Sequence, residues 1–267
     1  MGVNKAVRRH RPIVLSMIAR LSAVVVALHA VSCPAGAEKY RFQREMMGTR
    51  FTVVCHADQR DAVEPAVMGA FEMAERVNQC ASDYFPESEL SQLAGALVGE
   101  PVTLTPLLFE LLEHSRALAE KTGGAFDPSL GPLTRLWRET RASARLPDVA
   151  VLRNAQSAAG WRHFTLDPTT HSVKLHREKM SFDLGAVAKG YAADLMLESL
   201  ASAGFRQSMI AAGGDIRLGD PPPGREGWRV AVQTFDLARS DEVLVLSNAA
   251  ISTSGDLHQS VEIDGVK

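Results

Sequence analysis

The feature that most constrains this chain is the pairing of its strand-like runs about tight turns. Residues 40–57, YRFQREMMGTRFTVVCHA, read as two strands about Gly48, and residues 163–176, HFTLDPTTHSVKLH, as two alternating runs around DPTT. Strands joined by so few residues run antiparallel, because a parallel pair needs a crossover of a dozen residues or more. WRVAVQTF and EVLVLSN read as further strands, and SMIAAGGDIRLG as a strand carrying a glycine pair. Helical patterns separate them. Residues 61–80 place Val63, Val67, Ala70, Phe71, Ala74 and Val77 on one face. Residues 106–121 start at Pro106, carry Leu107, Leu108, Leu111, Leu112 and Leu118 as the apolar set, and meet a C-cap at Gly123. A third helix runs to about Ala203 before Gly204, while FDPSLGPLTRLW is rich in turn formers. Without a regular βαβ rhythm or an internal repeat, the pattern predicts an α+β fold of antiparallel sheets and packed helices.

Residues 1–37 follow a different rule. They hold Lys5, Arg8, Arg9, Arg11 and Arg20 and no acid, then an apolar run from Leu21 to Val31, then Ala35-Gly36-Ala37. A basic start, a short apolar core and small residues before a cleavage point describe a secretory signal peptide, with cleavage before Glu38. Arg20 interrupts the longer apolar stretch, which leaves less than the roughly 20 residues needed to span a bilayer. A lipoprotein leader ending at Cys33 is the alternative. Residues 38–267 then form the folded domain, exported to the periplasm or to the periplasmic face of the inner membrane.

Removing the five basic residues of the leader leaves 24 basic residues against 31 acidic ones, a net charge of −7. Such a balance argues against nucleic-acid binding, which needs a basic footprint. Cys55 and Cys80 fall in apolar patterns and read as two buried thiols rather than a disulfide. No Cys/His spacing suggests zinc. His163, His171 and His176 are spread over both arms and the turn of the 163–176 pair and read as surface residues. Glu72, Glu75, Glu110 and Glu113 read as a solvated helix face.

Four segments carry candidate chemistry. In SFDLGAVAKGYAAD, Gly185 and Gly190 flank Lys189, but the lysine precedes the second glycine, so the phosphate loop GxxxxGK is absent. A helix start near Gly185 offers N–H groups and a positive dipole end to an anion, with Lys189 one turn further in and Asp183 upstream. A plain turn into a core helix fits the same residues. In TGGAFDPSLGPL, Phe126 and Asp127 follow two glycines, and Pro128 pushes Asp127 toward extended geometry. This is either a nucleotide pocket wall or a buried loop anchor. Gly213-Gly214 before Asp215 allows a close backbone approach to a ligand, or a bulge or turn. AISTSGD exposes hydroxyls at Thr253 and Ser254 beside Gly255 and, lacking a GxSxG elbow, reads as a binding turn.

Taken together, MMGTRF (46–51), SDYFPESELSQL (82–93), TGGAFDPSLGPL (122–133), FDLGAVAKGYAAD (182–194), AAGGDIRLG (211–219) and AISTSGD (250–256) resemble the ApbE family of FAD:protein FMN transferases, in that family's order. The resemblance implies an ApbE-like mixed fold. It also implies Mg2+-dependent cleavage of FAD, with FMN passed to a threonine hydroxyl of a target protein and AMP released. The partners implied are FAD and threonine-bearing acceptor proteins of exported electron-transfer systems, at or near the inner membrane. It places Met47, Tyr84, Ala125, Phe126, Asp127, Asp183, Lys189, Thr253, Ser254 and Gly255 at the FAD site, Lys189 near phosphate. It gives the backbone carbonyl of Ala186 to the metal.

The family continues with an HxxDPxTG segment and an Asp/Thr stretch that supplies metal side chains, and neither occurs before Lys267. Val261 to Ile263 and Asp264-Gly265 read as one arm and the turn of a hairpin. The expectation is a fragment or truncated reading frame of a genuine transferase. A flavin-nucleotide binder that does not transfer, and an exported binding module with no flavin role, are the alternatives.

Overall fold

The computed structural model describes residues 36–232, 242–253 and 263. In chain order its helices are α1 (Arg60–Ala81), α2 (Glu89–Gln92), α3 (Pro106–Lys121), α4 (Gly131–Ser143), α5 (Val149–Ala158) and α6 (Gly185–Ser202). Its strands are β1 (Glu38–Met46), β2 (Thr49–Ala57), β3 (Pro101–Thr103), β4 (Phe164–Asp167), β5 (Ser172–Leu175), β6 (Ser208–Ala212), β7 (Asp215–Leu218), β8 (Trp228–Val232), β9 (Glu242–Leu246) and β10 (Ala250–Ser252). The mixed α+β architecture is the one predicted.

The main sheet has the order β1-β2-β6-β7-β10, every neighbour antiparallel. Met46 pairs with Thr49, so Met47-Gly48 is a two-residue turn, with φ 51° and 69°. Two positive φ values give the turn twist that matches flanking strands. β2 buries Phe51, Thr52, Val53, Val54 and Cys55 in succession, because both faces of the sheet are covered. Alternate residues face opposite ways. Phe51, Val53 and Cys55 join the main core, while Val54 packs with Leu218, Trp228 and Val230 on the other side.

The predicted face of α1 is the buried one, Val63 to Val77, extended by Ala81. α1 packs against α6, which buries Ala188, Ala192, Ala193, Met196, Leu197 and Leu200. Small residues on both helices allow a short interaxial distance. α3 has the predicted bounds. Thr105 caps its start by accepting from the Leu108 N–H. Its end is closed by Gly124 N–H to Ala119 and Gly123 N–H to Glu120.

Four expectations need correction. The inner face of α3 is Leu108, Phe109, Leu111, Leu112, Ser115 and Ala119, a stripe of i, i+3 and i+4 spacing that leaves Leu118 exposed. FDPSLGPLTRLW contains the start of α4. Its Gly-Pro pair looks like a turn, but proline is suited to the first helical turn, where its missing N–H costs nothing. SMIAAGGDIRLG is a hairpin, β6 and β7 about Gly213-Gly214. AISTSGD opens as strand β10, held to β7.

The 163–176 hairpin stands as β4 and β5, with β3 as a third strand. Cys55 and Cys80 are free thiols, each raised to about 11 by burial. The leader and the turn at Asp264-Gly265 lie outside the described residues.

Candidate active site

The candidate residues fall into two groups. The first gathers at one end of the main sheet. There the Met47-Gly48 turn, the Gly213-Gly214 turn and Thr253 follow from adjacent strands, since Phe51 pairs with Ala212, Ala212 with Asp215, and Asp215 with Ser252. Backbone bonds weld the row: Gly213 N–H donates to Arg50 and Thr253 N–H to Gly214. Gly213 has φ 67°, and a Cβ there would meet Thr49 Oγ1 at 2.8 Å. Both the dihedral and the neighbour demand glycine. Met47 takes φ 51° without glycine's freedom, with its side chain packed on the core. Ser252 donates to Asp215 at 2.6 Å. Ser254 and Gly255 lie outside the described residues.

The second group is built on the helices. α6 and β6 are joined by residues 203–207, and the Arg217–Asp194 ion pair sets their level, with Arg217 opposite Ile210. The first turn of α6 therefore faces the Gly213 end of the sheet. Asp183 Oδ1 accepts from the Gly185 N–H at 2.8 Å, and the Leu184 carbonyl takes the Val187 and Ala188 N–H groups. Most of the expected anion cradle is thus satisfied internally. The Ala186 N–H is the first-turn donor without a partner among the described residues. The Lys189 ammonium folds back at 3.1 Å to the Gly185 carbonyl, which points away from the Ala186 N–H of the same trans peptide. Ala186 itself is exposed.

Residues 122–131 run beside this start. Leu130 and Ser181 form a parallel bridge, and the Asp183 N–H donates to Pro128. A Cβ on Gly131 would lie 2.6 Å from Ser181 Oγ and 2.8 Å from its carbonyl, so the close approach is possible only with glycine. Ala125 is exposed and Phe126 half-buried against the core. The Asp127 carboxylate is turned inward. Oδ1 accepts from Ser129 N–H at 2.8 Å and Ser129 Oγ at 2.6 Å, and Oδ2 from Trp161 N–H at 2.9 Å. Asp127 shapes the wall and holds it.

Tyr84 stands 70% exposed at the edge of the segment 82–93. That segment is fixed by its serines: Ser88 and Ser91 hydroxyls donate to the Ser82 carbonyl, and Ser82 Oγ accepts from Tyr84 N–H. The residue that joins Tyr84 to Asp183 was not found by sequence reasoning. Arg138 of α4 pairs through Nη1 with Asp83 at 2.6 Å and through Nη2 with Asp183 at 2.9 Å, and its Cζ lies 4.2 Å from the centre of the Tyr84 ring. Burial works against its charge, but the Asp83 bond and the nearby carboxylates outweigh that and raise its pKa. No local signal links Arg138 to Asp83, because their partnership spans 55 residues and exists only in the fold.

A magnesium ion needs several oxygen ligands, usually including carboxylate. Here Asp83 and Asp183 are both engaged with Arg138, and Ala186 offers one neutral carbonyl. No group of three or more His, Cys, Asp or Glu side chains fit to hold a metal occurs among the described residues. The described residues alone do not fit the ion. A cavity of about 320 Å3 beside β3, β4 and β5, lined by Pro101, Leu166, Asp167 and Lys174 among others, contains none of the candidate residues.

Comparison with known proteins identifies the family. The profile of the ApbE family matches residues 47–267. The FAD:protein FMN transferase of Chlamydia muridarum is 30% identical over 185 residues, 69% of this chain and 57% of that protein. The FAD:protein FMN transferase of Vibrio cholerae is 28% identical over 253 residues, 92% of this chain and 75% of that protein. Among solved structures, the Flavin Transferase ApbE from Vibrio cholerae superposes with a TM-score of 0.75 at 26% identity, covering 84% of this chain and 74% of that one. Its relatives are transferase enzymes, and the chain belongs to the ApbE family.

Proposed function

We propose that the chain is an FAD:protein FMN transferase, which moves FMN from FAD to a threonine hydroxyl of an acceptor protein and releases AMP. The observation that carries the reading is the gathering of the family's segments around one place, the first turn of α6 and the Gly213 end of the sheet. The names of the relatives supply the chemistry. In the step, the threonine oxygen bonds to the FMN phosphorus as the bond from that phosphorus to the bridging oxygen breaks. AMP leaves with the bridging oxygen, and the hydroxyl proton passes to water.

Such a transfer asks mainly for placement and charge neutralisation. Lys189 and the Ala186 N–H, at the positive end of α6, face the phosphates. Met47, Tyr84, Ala125 and Phe126 wall the aromatic parts, Asp183 orients the helix start, and Thr253 stands on the phosphate side. Water in place of threonine would give FMN and AMP as a side reaction. Magnesium dependence belongs to the proposal through the substrate, since the pyrophosphate carries the charge that a hard cation neutralises. Export to the periplasm, with acceptors in electron-transfer systems at the inner membrane, completes it.

The test mixes the full chain, FAD, Mg2+ and a threonine-bearing acceptor, and reads covalent flavin by in-gel fluorescence, with EDTA as the control. A fluorescent acceptor band that EDTA abolishes is the expected result. FAD binding without any labelled acceptor would replace the transferase reading by that of a flavin-nucleotide binder. The engagement of both Asp83 and Asp183 by Arg138 favours that second reading.

A further inference from the structure

We propose that Arg138 is the positioning residue of this site, acting through Tyr84 and Asp183, and that it sets the affinity for the flavin nucleotide. The proposal rests on the flavin-transferase reading. One guanidinium serves three neighbours from two separate segments. Its two terminal nitrogens take Asp83 and Asp183, and its Cζ lies over the Tyr84 ring, 4.2 Å from the centre. The three charged side chains are 29%, 19% and 16% exposed, so their attraction is only partly screened by water.

The consequences run to both parts of the ligand. Asp183 holds Arg138 with one oxygen and the Gly185 N–H with the other. Its orientation therefore passes from Arg138 to the first turn of α6, where Ala186 and Lys189 meet phosphate. Tyr84 is otherwise exposed, and a guanidinium on one face leaves the other for a planar heterocycle. Without Arg138, two half-buried carboxylates that now share one cation would face each other and repel. Lysine substitutes only in part, since a compact ammonium lacks the planar fork of the guanidinium.

The test uses the full chain carrying Arg138→Gln, Arg138→Lys or the pair Asp83→Asn with Arg138→Gln. The first readout needs no ligand. The chain has three tyrosines, so fluorotyrosine labelling gives three 19F resonances, and Tyr84→Phe identifies one. Arg138→Gln is expected to move the Tyr84 resonance and leave Tyr40 and Tyr191 in place. The second readout is kinetic. Arg138→Gln is expected to raise KM for FAD about tenfold and leave KM for the acceptor unchanged, as loss of charge-assisted bonds predicts. Arg138→Lys should recover less than half of that, and removing Asp83 together with Arg138 should recover part, because the repulsion is gone.

An unmoved Tyr84 resonance overturns the proposal, and so does a KM for FAD within twofold of the parent. If Arg138→Gln does not fold, the lysine variant and the double variant carry the same comparison. Failure of the parent chain to bind FAD would instead overturn the flavin reading, while the Tyr84 resonance would still decide whether Arg138 holds the ring.

Discussion

The two sides of the site are built from different materials. The sheet side is made of backbone: two turns, a row of paired strands and hydrogen bonds from Gly213 and Thr253. The helix side is made of charge, with Asp83, Arg138 and Asp183 drawn together across the fold. A backbone wall has one shape, because covalent geometry and sterics leave it no other. A charge wall keeps its shape only while every partner is present. The first should fail by losing stability and the second by losing affinity.

The largest effect should come from Gly213→Val. The residue sits at φ 67°, and its Cβ would press on Thr49. Left-handed strain and overpacking together predict a loss of about 2–4 kcal/mol, read in a urea or thermal melt. A loss below about 1 kcal/mol would mean that the turn yields and that this side is softer than described. Asp127→Ala should come next. It removes the acceptor of three bonds to Ser129 and Trp161, for about 2–3 kcal/mol in the same melt. An unchanged melt would show that water replaces the carboxylate.

Asp183→Ala tests the contrast from the other side. Loss of the cap on Gly185 predicts about 1 kcal/mol in stability, while FAD affinity falls about tenfold. Lys189→Ala should weaken FAD binding and leave the melt alone, since its one bond in the fold is to the exposed Gly185 carbonyl. Stability losses without affinity losses in both variants would erase the distinction between the two walls.

The smallest effect is a pH dependence. His56 of β2 lies against Trp228, and burial lowers its pKa below 6.5. The unfolded chain then binds the proton more readily than the folded one, so stability is full above pH 6.5 and falls as pH drops below it. His56→Gln should flatten that slope in melts taken between pH 7 and pH 5. An equal slope in the variant would assign it to other groups.

The same division explains what could be read from the sequence. The Met47-Gly48 hairpin and the Schellman end of α3 were legible, because local steric rules fix them within a few residues. α4 was hidden behind Gly131-Pro132, a pair that serves a turn or a helix start equally well. The glycine pair at 213–214 announced a special backbone but not that it closes a hairpin. Lys189 and Asp183 stood out beside two glycines. Arg138 did not, since an arginine after a tryptophan on an amphipathic helix carries no sign of partners 45 and 55 residues away.

The strand order carries a last consequence, for how the molecule is made. β2 and β6 are neighbours in the sheet, yet residues 58–207 lie between them in the chain. The whole helix side, with Asp83, Arg138 and Asp183, belongs to that interval. A pairing of such long range closes late and slowly, because the entropy of joining distant segments must first be met. The central sheet therefore completes only around an interval that has already condensed, and catalytic geometry becomes a by-product of finishing the fold. Slow refolding should be a property of every chain with this strand order, whatever its turnover.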